Sequence, residues 1–144
     1  MPTKSAHRVA AIENMRALQY LSQRIDDFPQ WATTVAFYTA LHVIEAVFAH
    51  DNRHTDDHAQ RNRLLKSNQR YKHLWQHYRP LWNDSLIARY LKCDASSDVV
   101  ELFSTYMAPS KVEAFHVHHN LHQIILSARR LMNDAEFMND TATV

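Results

Sequence analysis

Apolar residues recur along most of this chain at intervals of three and four, the period of helices that bury one face. From about Ser5 to Ile25, the positions Ala11, Met15, Leu18, Leu21 and Ile25 form one such stripe, and Ser5 is placed to cap it. The next segment, about Gln30 to Phe48, is apolar nearly all round: Trp31, Val35, Phe37, Tyr38, Leu41, Val43, Ile44, Val47 and Phe48 leave no wide polar face. A helix of that kind is buried on most sides, as the centre of a bundle or as half of an oligomer interface. Its clustered polar groups, Thr39, His42 and Glu45, lie three apart and share one edge. A polar loop over 51–57 leads to a third helix starting near His58, with Asp56 or Asp57 as its cap. The helical signal weakens at Ser67-Asn68 and resumes to about Tyr78, and Pro80 restarts a helix that runs to about Leu91. Residues 93–99 read as loop and 100–107 are ambiguous. Pro109 opens a last helix, about Ser110 to Met132, with Val117, Leu121, Ile124, Ala128 and Leu131 on its core face. The pattern predicts one all-α domain over 1–132, a bundle of four to five helices, followed by a polar tail over 133–144 that frays.

Composition narrows the function classes. The 144 residues suit one domain and contain no glycine. Dinucleotide-binding turns, phosphate-cradling loops and tight hairpins lean on glycine for positive φ or close backbone approach, so its absence argues against a doubly wound α/β enzyme, a P-loop NTPase or a hairpin-rich β domain. The lone cysteine, Cys93, excludes an intramolecular disulfide and a cysteine-built zinc site, and fits a reducing, cytoplasmic setting. The first residues lack the apolar core of a signal peptide. The apolar stretch Val35 to Ala49 is short and interrupted by Thr39, His42 and Glu45, which argues against a membrane span. Net charge is only +1, yet the stretch from His58 to Asn83 holds no acidic residue. Arg61, Arg63, Lys66, Arg70 and Lys72 there form a candidate phosphate track, while Tyr71, Trp75, Tyr78 and Trp82, at helical spacing, read first as core.

Two histidine constellations are candidates for chemistry. In Arg53-His54-Thr55-Asp56-Asp57-His58, an arginine and a histidine approach one another across a loop and a helix start. Arginine offers phosphate a permanent planar fork, and a histidine near its ordinary pKa moves protons at a ribose hydroxyl or a leaving oxygen. RNA brings its own nucleophile, so such a site needs no metal and no cofactor. His116, His118, His119 and His122 invite a metal reading, His118 and His122 being one turn apart, but no carboxylate joins them clearly and the structural reading is favoured.

The second helix, with Phe37-Tyr38-Thr39-Ala40-Leu41-His42 followed by Glu45, resembles the core helix of HEPN domains. The stretches His58-Ala59-Gln60-Arg61-Asn62 and Ser85-Leu86-Ile87-Ala88-Arg89-Tyr90 are similar to prokaryotic members. The resemblance covers about residues 7–91, with only a helical C-terminus matching beyond. It implies a small helical bundle that dimerises, often a metal-independent endoribonuclease with an Arg-x(4–6)-His motif. Arg53 would then bind the scissile phosphate and His58 act as general acid or base, supported by His54, Arg61, Asn62, His42 and Glu45. Arg63, Lys66, Arg70 and Lys72 would hold RNA. A second pair, His58 with Arg61, is the alternative carrier of the resemblance. Asp56 and Asp57 depart from an RNA-friendly motif, since they repel phosphate and favour protonated His58. The expected function is RNA cleavage through the 2′-hydroxyl, as a toxin or defence effector with an antitoxin. The alternative is a non-catalytic HEPN module that binds a nucleotide, RNA or a nucleotidyltransferase.

Overall fold

The computed structural model describes residues 1–91 and 102–139. The expected loop over 93–99, with Cys93, lies outside them. Among the described residues the chain is all-α, with six helices, slightly more than the four to five expected. They are α1 (Lys4–Ser22), α2 (Pro29–His50), α3 (His58–Ser67), α4 (Lys72–Tyr90), the single turn α5 (Phe103–Tyr106) and α6. The last is a continuous run of Pro109–Lys111, a π-helical stretch Val112–Leu121 and His122–Met132.

The helix ends follow local chemistry. Thr3, not Ser5, caps α1: its hydroxyl accepts from the Ala6 amide at 3.1 Å, so the helix starts one residue before Ser5. Pro29 occupies the first turn of α2, where its missing N–H costs nothing. Asp57 caps α3 by accepting from the Gln60 amide at 2.8 Å, and the Gln60 side chain accepts in return from the Asp56 amide. At Asn68 the backbone turns extended and one 3₁₀ turn, Gln69–Tyr71, leads into α4. The restart expected at Pro80 is not there. Pro80 sits inside one unbroken α4, where it withholds a single amide from the Gln76 carbonyl while packing on both sides keeps the helix together.

Helix α2 runs through the middle and contacts α1, α4, α5 and both halves of α6. Its all-round apolar character is thereby explained, since Ala36, Phe37, Ala40, Val43, Ile44, Val47 and Phe48 are fully buried. At 22 residues it is also long and apolar enough to cross a bilayer, unlike the shorter stretch read from sequence, but 78% of its most apolar window is buried among neighbouring helices. Tyr71 and Tyr78 are core, as their spacing predicts, whereas Trp75 and Trp82 are half-buried. The chain beyond Met132 continues through turns that bury Phe137 and Met138, and the Arg129 Nε donates to the Phe137 carbonyl at 2.6 Å. Two polar clamps fix the helices laterally. Arg70 forks onto Asp51 at 2.8 and 2.9 Å and reaches the Leu131 carbonyl, with the Tyr71 hydroxyl also on Asp51. A buried chain joins Asp84 to His116 at 2.5 Å, His116 to Asn120 and Asn120 to His77, linking α4 to the π-helical stretch.

Candidate phosphate site at the start of helix three

The polar edge of α2 meets the start of α3 around one buried carboxylate. Glu45 accepts from the Arg61 Nε at 2.8 Å and from the Thr55 hydroxyl in a short hydrogen bond. All three residues are buried, so the carboxylate anchors the 51–57 loop to α2 and neutralises a guanidinium that has left water. The other side of that guanidinium, Nη1, lies 2.9 Å from His58 Nδ1. A guanidinium only donates, so Nδ1 is the acceptor and the imidazole carries its hydrogen on Nε2. The His58 ring rests on Trp82, with centroids 4.8 Å apart, and on Phe37 at 5.8 Å.

The second cation of the site comes from the far end of α4. Arg89 lies half-buried against Phe37, Tyr38, Trp82 and Tyr90, its Cζ between 5.1 and 5.8 Å from the four ring centres. It donates to the Tyr38 hydroxyl, the Ser85 hydroxyl and the Ser85 carbonyl, but pairs with no carboxylate among the described residues. Arg89 thus adds a second guanidinium to the surroundings of His58, and the α3 N-terminus adds partial positive charge.

That field acts on the histidines. Burial lowers the His58 pKa below 6.5, and Arg61 and Arg89 lower it further, against a smaller opposing pull from Asp57. Asp57 does favour protonated His58, as expected, but burial and the two arginines outweigh it, while Asp56 pairs with His54 at 2.9 Å. His42 and His7 meet Nδ1 to Nδ1 at 3.1 Å, an arrangement that requires one donor and one acceptor. Burial lowers both pKa values, with Arg61 adding to the effect. The Tyr78 hydroxyl is buried near Arg61 without a hydrogen bond of normal geometry, and burial pushes its pKa up.

The residues expected from sequence divide into three groups. His58, Arg61, Glu45 and, beside them, His42 come together. Asn62 is half-buried on the same helix, its Oδ1 without a partner. Arg53 is exposed, joined to no His58 atom by a hydrogen bond, and close enough to Tyr71 to lower that phenol's pKa against the larger effect of burial, which raises it. Of the phosphate track, Arg63, Lys66 and Lys72 are exposed, while Arg70 is committed to Asp51 and Leu131. Arg89, Trp82, Tyr78, Thr55 and His7 were not assigned to the site from sequence. Arg89 carried a signal through the stretch Ser85 to Tyr90, Thr55 lay inside the Arg53 to His58 motif, and Tyr78 and Trp82 stood out as aromatics at helical spacing. Among the described residues, no group of three or more His, Cys, Asp or Glu side chains is disposed to hold a metal ion. In the C-terminal cluster, His116 is spent on Asp84, His118 lies 3.5 Å from Glu113, and His119 packs on the His77 ring.

No protein-family model, curated protein or solved structure matches the chain.

Proposed function

We propose that this domain binds the phosphate backbone of RNA between His58 and Arg89, with Arg61 buried behind them on Glu45, as a HEPN-like module that works without a metal. One observation carries the reading: a half-buried guanidinium, Arg89, lies beside a neutral imidazole and has no carboxylate partner among the described residues. An anion completes that charge balance, and His58 offers it an Nε2–H rather than competing with it. The exposed Arg63, Lys66 and Lys72 extend the positive field along α3 and into α4.

RNA cleavage is the second reading, favoured by the depressed His58 pKa, which leaves a neutral imidazole at pH 7. A shift of Arg61 Nη1 off Nδ1, with its Nε still on Glu45, releases the Nδ1 lone pair. His58 then takes the proton from a 2′-hydroxyl, that oxygen attacks phosphorus, and the 5′-oxygen leaves with the proton returned by the imidazole. The products are a 2′,3′-cyclic phosphate and a free 5′-hydroxyl. Arg53, on the loop before His58, would meet the developing charge. A cytoplasmic homodimer acting as a toxin or defence effector, with an antitoxin or a nucleotidyltransferase as partner, belongs to the same proposal. The exposed Trp31 ring on α2 offers an apolar contact for a second copy.

The test is RNA binding and end-group analysis in EDTA with the wild type and with Arg89→Gln, His58→Ala and Arg53→Ala. Binding should weaken about tenfold in Arg89→Gln, a loss of about 1.4 kcal/mol. Undiminished binding in both Arg89→Gln and His58→Ala refutes the site. Cyclic phosphate ends that vanish in His58→Ala establish cleavage, and binding without product leaves the module non-catalytic.

A further inference from the structure

Arg89 has a second face. Beyond the aromatic rings it forms one wall of a cavity of about 430 Å³ between the start of α2, the end of α4 and α5. The volume lies within the usual ~300–1,000 Å³ of small-molecule sites. Its apolar lining includes Pro29, Ala88 and Phe103, and its polar lining includes Asp26, Gln30 and Ser104. The two carboxylates at the mouth are not equivalent. Asp27 is occupied by Arg24, which grips it through Nε and Nη2 at 3.0 and 2.7 Å. Asp26 makes no hydrogen bond or ion pair among the described residues, so its two oxygens are open acceptors.

A carboxylate repels phosphate, so what enters this cavity is not the backbone. What it selects is a flat group with two adjacent N–H donors, because both oxygens then accept in parallel. Among the nucleobases only guanine has that pair, N1–H beside the N2 amino group; adenine, cytosine and uracil offer at most one such donor on an edge. The walls suit a base as well, since Pro29, Ala88 and Phe103 offer its faces an apolar lining. Arg89 borders both places, and so joins the cavity to the phosphate site at His58.

We propose that this cavity is a guanine-selective base pocket, with Asp26 reading the N1–H and N2 amino edge of an unpaired guanosine in the bound strand. The inference rests on the RNA reading above and adds the base that it prefers. The test uses fully 2′-O-methylated hexamers, which cannot be cleaved: all-adenosine, one with a single central guanosine, and one with inosine there, which lacks the 2-amino group. Fluorescence anisotropy on the full chain should give at least about tenfold tighter binding of the guanosine hexamer over all-adenosine, the order expected of one bidentate contact, with inosine between them. In Asp26→Ala, which circular dichroism should report as folded because the side chain is exposed, the ratio should collapse to about one. Equal affinity of the wild type for all three hexamers, or a preference for adenosine, overturns the pocket and leaves the phosphate site standing. A guanosine preference that survives Asp26→Ala overturns the role of Asp26. Failure to bind any hexamer overturns the RNA reading and this inference together.

Discussion

Removing the Glu45 carboxylate tests the centre of the site through stability alone. The Glu45–Arg61 side chains are 3% and 8% exposed, so neither charge is rehydrated when the other is lost. Breaking such a pair from one side costs about 3–5 kcal/mol, mostly the penalty of a buried unpaired charge. Glu45→Ala also strips the Thr55 hydroxyl of its acceptor, which places the variant toward the upper end. For a chain of 144 residues, roughly 3 °C is lost per kcal/mol, so the midpoint of thermal unfolding should fall by about 9–15 °C. Glu45→Gln keeps an acceptor for both donors and loses only the charge, so it should cost about half as much. The decisive measurement is the double-mutant cycle with Arg61→Ala, followed by far-ultraviolet circular dichroism in urea. Deleting both partners should recover at least about 2 kcal/mol relative to the sum of the single losses, because no charge is left stranded. A Glu45→Ala loss below about 1 kcal/mol, or additivity within about 0.5 kcal/mol, would refute the buried ion pair as the anchor of the loop.

The remaining predictions concern pH and packing. His7, His42 and His58 all have folded pKa values below 6.5, so the unfolded chain binds more protons and folding stability is fully present above that value. Urea titrations should show stability falling as pH drops below 6.5, by up to about 1.4 kcal/mol per unit for each histidine, and His42→Gln should flatten the slope; an unchanged slope contradicts the assignment. Burial pushes the Asp51 carboxyl up, but hydrogen bonds from Arg70, Tyr71 and His50 prevail and hold it at about 2. Its contribution is therefore present above pH 3.8 and lost as pH falls through 2. Asp51→Asn should cost about 1–2 kcal/mol at pH 7, a figure reduced for the solvent exposure of Arg70, and little in the Arg70→Ala background. Phe137→Ala should cost about 3 kcal/mol in urea unfolding, as for a core phenylalanine; a loss under about 0.5 kcal/mol would mean that the segment after Met132 is a free tail.

The candidate site was legible from sequence where its residues are local. His58 and Arg61 are one helical turn apart, so their meeting follows from α3 being a helix, and Asp57 signals its own cap. Glu45 was legible as a polar residue on an apolar helix, but its two partners were not. Arg53 was less legible: four intervening residues suggest proximity to His58, yet no hydrogen bond joins the two among the described residues. Arg89 lies 31 positions beyond His58, and no periodicity links them.

Helix content, and the need of α2 for cover on all sides, were decided by the sequence alone; that this chain's own helices supply the cover was decided by the fold. An apolar surface on all sides has no stable place except among other helices, and the missing glycines argue against the turns that competing folds lean on. Local propensity was weaker evidence at Pro80, where packing of α4 against α2 and α6 outweighs one lost hydrogen bond. Tertiary structure alone decided the charge balance. Whether a guanidinium is neutralised or left facing a cleft depends on which helix ends converge, and that is how Arg61 became a buried partner while Arg89 kept its charge available. The same convergence sets the histidine pKa values, because burial and neighbouring cations are properties of three-dimensional proximity and not of spacing along the chain.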